Sequence, residues 1–226
     1  MENNKLTLIG TIRECALMFT SRSKIEEKFY QISLEVPRKS KAVDVVPVIC
    51  SEKLLYDVNT EKGVVIKVEG KVHTRNYEGA DGKNHLNIFA YAKDINNIPE
   101  GEEINMNESN NVELEGYVCK DTRSRRTGKT GRSITDIMLA VNRVYYNKTD
   151  YIPCIAWGRN ATLAGKRKVG DYVKIVGRFQ SRQYYKKGVK GTRTAHEISV
   201  MDMTVIDNKK DDETETVVTA TEETVS

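Results

Sequence analysis

The sequence predicts an all-β chain: two tandem five-stranded barrels, each with a short helix between strands three and four, followed by a disordered acidic C-terminal tail. Three observations predict it. The chain repeats itself at a spacing of about 106 residues, both copies are rich in runs that alternate apolar and polar residues, and a helix-forming stretch falls at the same place in each.

The repeat is visible in matched runs. Lys5-Leu6-Thr7-Leu8-Ile9-Gly10 answers Asn111-Val112-Glu113-Leu114-Glu115-Gly116, and Ile32-Ser33-Leu34-Glu35-Val36 answers Ile137-Met138-Leu139-Ala140-Val141. Pro47-Val48-Ile49 answers Pro153-Cys154-Ile155, and the run from Gly63 to Val72 answers the run from Gly170 to Phe179. Two unrelated domains would not keep this register.

In the second copy, strands fall near residues 111–119, 133–145, 149–158, 171–184 and 193–206, where valine, isoleucine and tyrosine are enriched and glycine or charged turns intervene. Arg159 to Lys166 places helix formers around a glycine and predicts a short helix, and Glu52 to Asn59 is its counterpart in the first copy. Five strands with one helix between the third and fourth is the order of an OB-fold barrel. Long strands must coil to close such a barrel, and Gly10, Gly70, Gly116 and Gly177 sit where close backbone approach would help.

The domain organisation follows. Residues 1–98 form a divergent first copy, 99–110 an acidic linker, 111–206 the second copy and 207–226 a tail. The tail carries acids and five threonines but no aromatic residue, so it cannot bury enough apolar surface to fold alone. The net charge of +4 conceals a gradient: residues 111–206 hold 19 Lys and Arg against 8 acids, whereas residues 1–98 hold 15 against 13. A basic second half before an acidic end is the asymmetry expected of a nucleic-acid binder. No run of about 18 apolar residues could span a bilayer, and no secretory signal is visible, so a cytoplasmic, nucleoid-associated location is expected and no membrane partner. The four cysteines are scattered without a CxxC or Cys/His cluster, which predicts no metal and no other cofactor. Cys50 and Cys154 are expected to be core residues.

The face that carries chemistry lies in the second copy. In Thr149-Asp150-Tyr151-Ile152-Pro153-Cys154-Ile155-Ala156-Trp157, residues two, four and six apart share a face, so Tyr151 and Trp157 (the only tryptophan) point the same way. From Tyr172 to Tyr184, Val173, Ile175 and Phe179 fall on one side, and Lys174, Arg178, Arg182 and Tyr184 on the other. Cations neutralise phosphates and aromatic faces accept unpaired bases, so such a sheet suits a single nucleic-acid strand. Arg123, Arg125, Arg126, Lys129 and Arg132 add a basic loop between the first two strands, and the turn from Lys186 to Gly191 is a second basic hairpin. Gly128-Lys129-Thr130 imitates the end of a nucleotide phosphate loop, but Arg123 stands where that motif needs glycine.

These runs, with Leu139-Ala140-Val141-Asn142-Arg143 and Val176-Gly177-Arg178-Phe179-Gln180-Ser181-Arg182-Gln183-Tyr184, closely resemble the bacterial single-stranded DNA-binding protein family over about 95 residues. The first copy resembles it more faintly. The resemblance implies base stacking on Tyr145, Tyr151, Trp157 and Tyr184, with Arg143, Lys174, Arg178 and Arg182 among the phosphate-binding cations. It implies sequence-independent binding and protection of single-stranded DNA in replication, recombination and repair, by an assembly of four OB folds that two domains per chain would build as a homodimer. RNA stays open as an alternative strand, since stacking and phosphate contacts do not distinguish the sugar.

The first copy departs from this pattern. Val45 or its neighbour stands at the place of Tyr151 and Ser51 at that of Trp157, no aromatic matches Tyr145, and only Tyr77 survives opposite Tyr184. Lys67, Lys71, Arg75 and Tyr77 are left as a weak contact, and an assembly role is expected for this copy. The tail ends Glu222-Glu223-Thr224-Val225-Ser226 without the family's apolar tip, so recruitment of replication or repair proteins by that route is doubtful. His73, His85 and His196 are isolated and the carboxylates form no motif, so no enzyme is expected. The second reading is an accessory factor of primosome or recombination type, acting mainly through protein contacts.

Overall fold

The computed structural model describes residues 2–22, 26–79, 82–102, 104–106, 108–128, 130–143, 147–185 and 191–206. The first copy comprises β1 (Asn4–Thr20), β2 (Lys28–Pro37), β3 (Val43–Ser51), a single 3-10 turn at Glu52–Leu55, β4 (Val65–Glu78) and β5 (Asn84–Asn97). The second comprises β6 (Asn110–Val118), a short β7 (Arg123–Arg126), β8 (Ser133–Asn142), β9 (Thr149–Trp157), helix α1 (Arg159–Ala164), β10 (Tyr172–Tyr185) and β11 (Thr192–Val205). The tail, residues 207–226, lies outside the described residues.

Each copy closes a five-stranded barrel. In the first, β1 pairs with both β2 and β4, β2 with β3, β3 in parallel with β5, and β5 with β4. In the second, β6, β8, β9, β11 and β10 repeat the circuit. Alternation in the sequence becomes alternation in burial: Val46, Val48 and Cys50 line one barrel, and Ile152, Cys154 and Ala156 the other. Burial pushes both thiols up, Cys50 to about 12, which suits inert core residues. The glycines expected at close approaches are required there. A Cβ on Gly70 would lie 2.1 Å from the Tyr91 carbonyl oxygen, and one on its counterpart Gly177 would lie 2.5 Å from that of Ser199.

The two predicted helices differ. Ala161 and Ala164 are small enough for α1 to lie on β8, where the Thr135 hydroxyl donates to the Ala161 carbonyl at 2.8 Å. In the first copy Leu55 and Val58 stand at these places and pack on the core, and only a single turn forms after Ser51.

The barrels join through an antiparallel ladder between β1 and β6 in which Leu6 faces Val112. These two residues are counterparts in the repeat, so the ladder is symmetric about them and the copies are related by a pseudo-twofold axis. The end of the linker belongs to this seam, since the Ser109 carbonyl accepts from the Ile9 N–H at 2.7 Å.

Buried aspartates fasten the copies on either side of the axis. Asp150 accepts from the Thr74 N–H of the other copy at 2.7 Å, from Arg143 Nε and Nη2 at 2.8 and 2.7 Å, and from His73 Nδ1 at 2.8 Å. Asp44 repeats the device with the Ser181 N–H at 2.6 Å and the Arg38 guanidinium. Thr74 Oγ1 then accepts from the Tyr151 N–H, as Ser181 Oγ accepts from the Val45 N–H. A carboxylate in an apolar interior is costly unless its lone pairs are filled, and here they are filled from both copies. The signal was present in the sequence: both acids fall on the inward parity of their strands, among valines and isoleucines.

Candidate nucleic-acid interface

The outer face of β9 presents Tyr151 and Trp157, 47% and 37% exposed, while Ile152, Cys154 and Ala156 between them point into the barrel. The ties described above hold the backbone around Tyr151, so its ring is displayed from a fixed strand. Trp157 lies across from Ile134 on β8. Tyr184 lies near the end of β10 with the Arg182 guanidinium 5.9 Å from its ring centre. The fourth predicted stacking residue, Tyr145, is outside the described residues, as is Lys129.

The predicted cations divide into two groups. Arg123, Arg126 and Arg132 are exposed and have no ion-pair partner among the described residues. They stand on or beside the β7–β8 hairpin, where Arg125 is paired with Asp136. The others are engaged. Lys174 meets Glu115 at 3.3 Å and Arg182 meets Glu197 at 3.2 Å. Arg178 is half-buried and its pKa is pushed down by burial. Arg143, expected beneath a phosphate, gives its guanidinium to Asp150, a buried carboxylate between the two copies. In the first copy, Lys67 pairs with Glu69 and Lys71 with Glu2, whereas Arg75 is exposed and unpaired among the described residues.

Tyr77 stacks on His85 with ring centres 5.5 Å apart. It shares a cavity of about 830 Å³ with its repeat counterpart Tyr184, together with Arg193, His196 and Pro153. Residues predicted on separate copies therefore line one groove, since the β4–β5 hairpin of the first copy reaches β9 of the second. Pro153 also lines a second concavity of about 760 Å³ that includes Arg123, Arg125 and Arg182. Arg193 and His85 were missed by sequence reasoning. They flank the hairpin ends, where alternation gives no indication of which groove a side chain meets.

Among the described residues, no group of three or more His, Cys, Asp and Glu side chains could hold a metal ion, and no helix is long and apolar enough to cross a membrane.

Residues 109–206 match the Single-strand binding protein family. The chain is 37% identical over 89 residues to a single-stranded DNA-binding protein of Clostridium tetani, covering 37% of this chain and 60% of that protein. It is 37% identical over 81 residues to one of Enterococcus faecalis, covering 33% of this chain and 43% of that protein. The chain thus matches about half the length of these relatives. The solved structure of the wild-type single-stranded DNA binding protein from Thermus aquaticus superposes with a TM-score of 0.69 at 20% identity, covering 90% of this chain and 93% of that one. At that identity the likeness supports the fold alone.

Proposed function

We infer, from the match of residues 109–206 to the single-strand binding protein family, sequence-independent, non-catalytic binding of single-stranded DNA in replication, recombination and repair. The observation that carries this reading is the display of Tyr151 and Trp157 on one exposed strand face, beside the β7–β8 hairpin, where Arg123, Arg126 and Arg132 have no ion-pair partner among the described residues. Bases stack on Tyr151 and Trp157 and continue toward Tyr184, while Arg123, Arg126 and Arg132 meet phosphates. Each stacked base contributes about 1–3 kcal/mol, and every base has a π-face, which explains tolerance of sequence. Tyr145 joins the stacking set and Lys129 the cationic set. Lys174, Arg178 and Arg182 contribute charge to the face more than direct contacts, being engaged within the protein. The working assembly is a homodimer presenting four OB folds, acting where single strands are exposed in the cytoplasm.

Tryptophan fluorescence titrated with poly(dT) at several salt concentrations tests this, because Trp157 is the only fluorophore of its kind. Strong quenching is expected, with log affinity falling against log salt by about 0.7 per phosphate neutralised. Quenching with a flat salt response removes the arginine hairpin from the mechanism. Absence of both quenching and retention of labelled strand on a filter overturns the reading.

A further inference from the structure

We propose that the first copy has its own single-strand site, built on Phe29 and Tyr91, with the buried Phe89 packed beside them, rather than on the strand positions that carry Tyr151 and Trp157 in the second. This deepens the function inferred above and rests on it for the class of ligand. Position by position the first copy lacks the two stacking residues, with Val45 and Ser51 in their place. Across strands it is not. In the second copy Trp157 on β9 faces Ile134 on β8; in the first, Ser51 on β3 faces Phe29 on β2. The aromatic ring has moved to the other member of the same cross-strand pair, within about 4.5–5.5 Å of where it would otherwise stand.

The neighbouring strands extend the exchange. On the second copy's β10–β11 ladder, Gln180 faces Glu197 and Arg178 faces Ser199; on the first copy's β4–β5 ladder, the corresponding pairs are His73 with Phe89 and Lys71 with Tyr91. In the second copy that patch is closed by polar contacts, with Glu197 accepting from Gln180 and Arg182. In the first it is aromatic, with the His73 and Tyr91 rings 5.4 Å apart. Phe19, itself 43% exposed, stacks on Phe29 at 4.9 Å.

These rings line an open groove of about 800 Å³ whose charged lining residues, among those described, are all cationic: Lys71, Arg75, Lys93, Arg143 and Lys148. Arg75 and Lys148 are exposed without an ion-pair partner among the described residues. Lys71 and Lys93 converge on a single carboxylate, Glu2, at 3.0 and 2.5 Å, as two ammonium groups would converge on a phosphate. Aromatic faces among cations, two of them (Arg75 and Lys148) without an ion-pair partner among the described residues, match the chemistry of a single strand and not that of an apolar protein partner. The groove is also continuous with the rest of the interface. Asn87 lines both it and the cavity shared by Tyr77 and Tyr184, so one path leads from Phe29 to the arginine hairpin.

The experiment moves the reporter. In the full chain carrying Trp157→Phe together with Phe29→Trp, the only tryptophan lies in the proposed site. Titration with fluorescein-labelled dT of about 35 nucleotides follows total binding by anisotropy and site occupancy by tryptophan quenching. Parallel saturation of the two signals is expected. Saturating anisotropy with unquenched tryptophan overturns the proposal, while no anisotropy change with the wild-type chain ends the strand-binding reading and this site with it.

A second variant, Tyr91→Ala, retains Trp157 and is checked for folding by circular dichroism. Its affinity for the long oligomer should fall about 5-fold to 150-fold for the stack lost, while Trp157 quenching by a short dT oligomer is retained. Equal loss at both lengths, no loss at either, or a changed sedimentation coefficient with strand binding intact would overturn the assignment, the last by giving the surface to a second copy of the chain.

Discussion

Replacing Asp150 by asparagine tests how the two copies are held in the register that builds the interface. The side chain is fully buried and accepts hydrogen bonds from the His73, Arg143 and Thr74 groups of both copies. Burial alone would raise its carboxyl, but the bonds from His73, from Arg143 and from the Thr74 backbone outweigh that and hold it at about 2, against an ordinary 3.8. A carboxylate depressed in the folded state contributes stability that is complete above its unfolded pKa and is lost as pH falls through the folded one. The shift corresponds to about 2 kcal/mol, of which roughly 1 kcal/mol has gone by pH 3. The Asp150→Asn change removes this charge at every pH and leaves Arg143 half-buried without its counter-ion, at a cost of about 3 kcal/mol at pH 7. Urea denaturation of both proteins at pH 7 and pH 3 measures it: the gap between wild type and variant should be large at pH 7 and narrow by roughly 1 kcal/mol at pH 3. Equal stability at pH 7, or a gap that does not narrow in acid, would refute the account of Asp150 as an ionised fastener.

Two further outcomes are expected. Glu2→Gln releases Lys71 and Lys93 toward phosphate, so affinity for a long dT oligomer should rise and the salt dependence should steepen by up to about 1.4 in slope, two phosphates at about 0.7 each; an unchanged slope would show that these lysines do not reach the strand. Gly70→Ala forces a Cβ onto the Tyr91 carbonyl oxygen and should cost about 3 kcal/mol by urea denaturation, whereas Gly128→Ala, with nothing within 4 Å of the added carbon, should change stability by less than about 0.5 kcal/mol.

The barrels were legible because closure is a local demand repeated along the chain. Alternation assigned the inward residues, and the glycines at 10, 70, 116 and 177 marked the crowded crossings. Tyr151 and Trp157 were legible for the same reason, since residues six apart in one strand must share a face. What periodicity cannot show is the identity of the neighbouring strand. Asp44 and Asp150 could be recognised as inward-facing acids, but their partners lie 137 and 76 residues away across the pseudo-twofold. The same limit hid Phe29, Phe89 and Tyr91. Matching the copies position by position shows aromatics lost at Val45 and Ser51, while the surface is organised by cross-strand pairs in which either member can carry the ring.

The pattern of agreement between the copies separates two demands on the chain. Where the halves meet, the counterparts do the same work: Asp44 and Asp150 each bind an arginine of their own copy and a backbone N–H of the other, and Ser181 and Thr74 both supply a hydroxyl to the facing strand. Asn4 and Asn110 likewise each form a pair of hydrogen bonds with the backbone of Val72 and Phe179. These contacts fix the geometry of the joint, and a change on one side leaves a buried charge or donor unmatched. On the outer face no such coupling acts. Phe29, Phe89 and Tyr91 stand opposite Ile134, Glu197 and Ser199 in the repeat, and each set is compatible with its own barrel. An assembly of two identical chains would carry every substitution on both faces at once. Joining the copies in one chain removes that constraint, so the joint can keep its symmetry while the two faces acquire different aromatic and ionic surfaces.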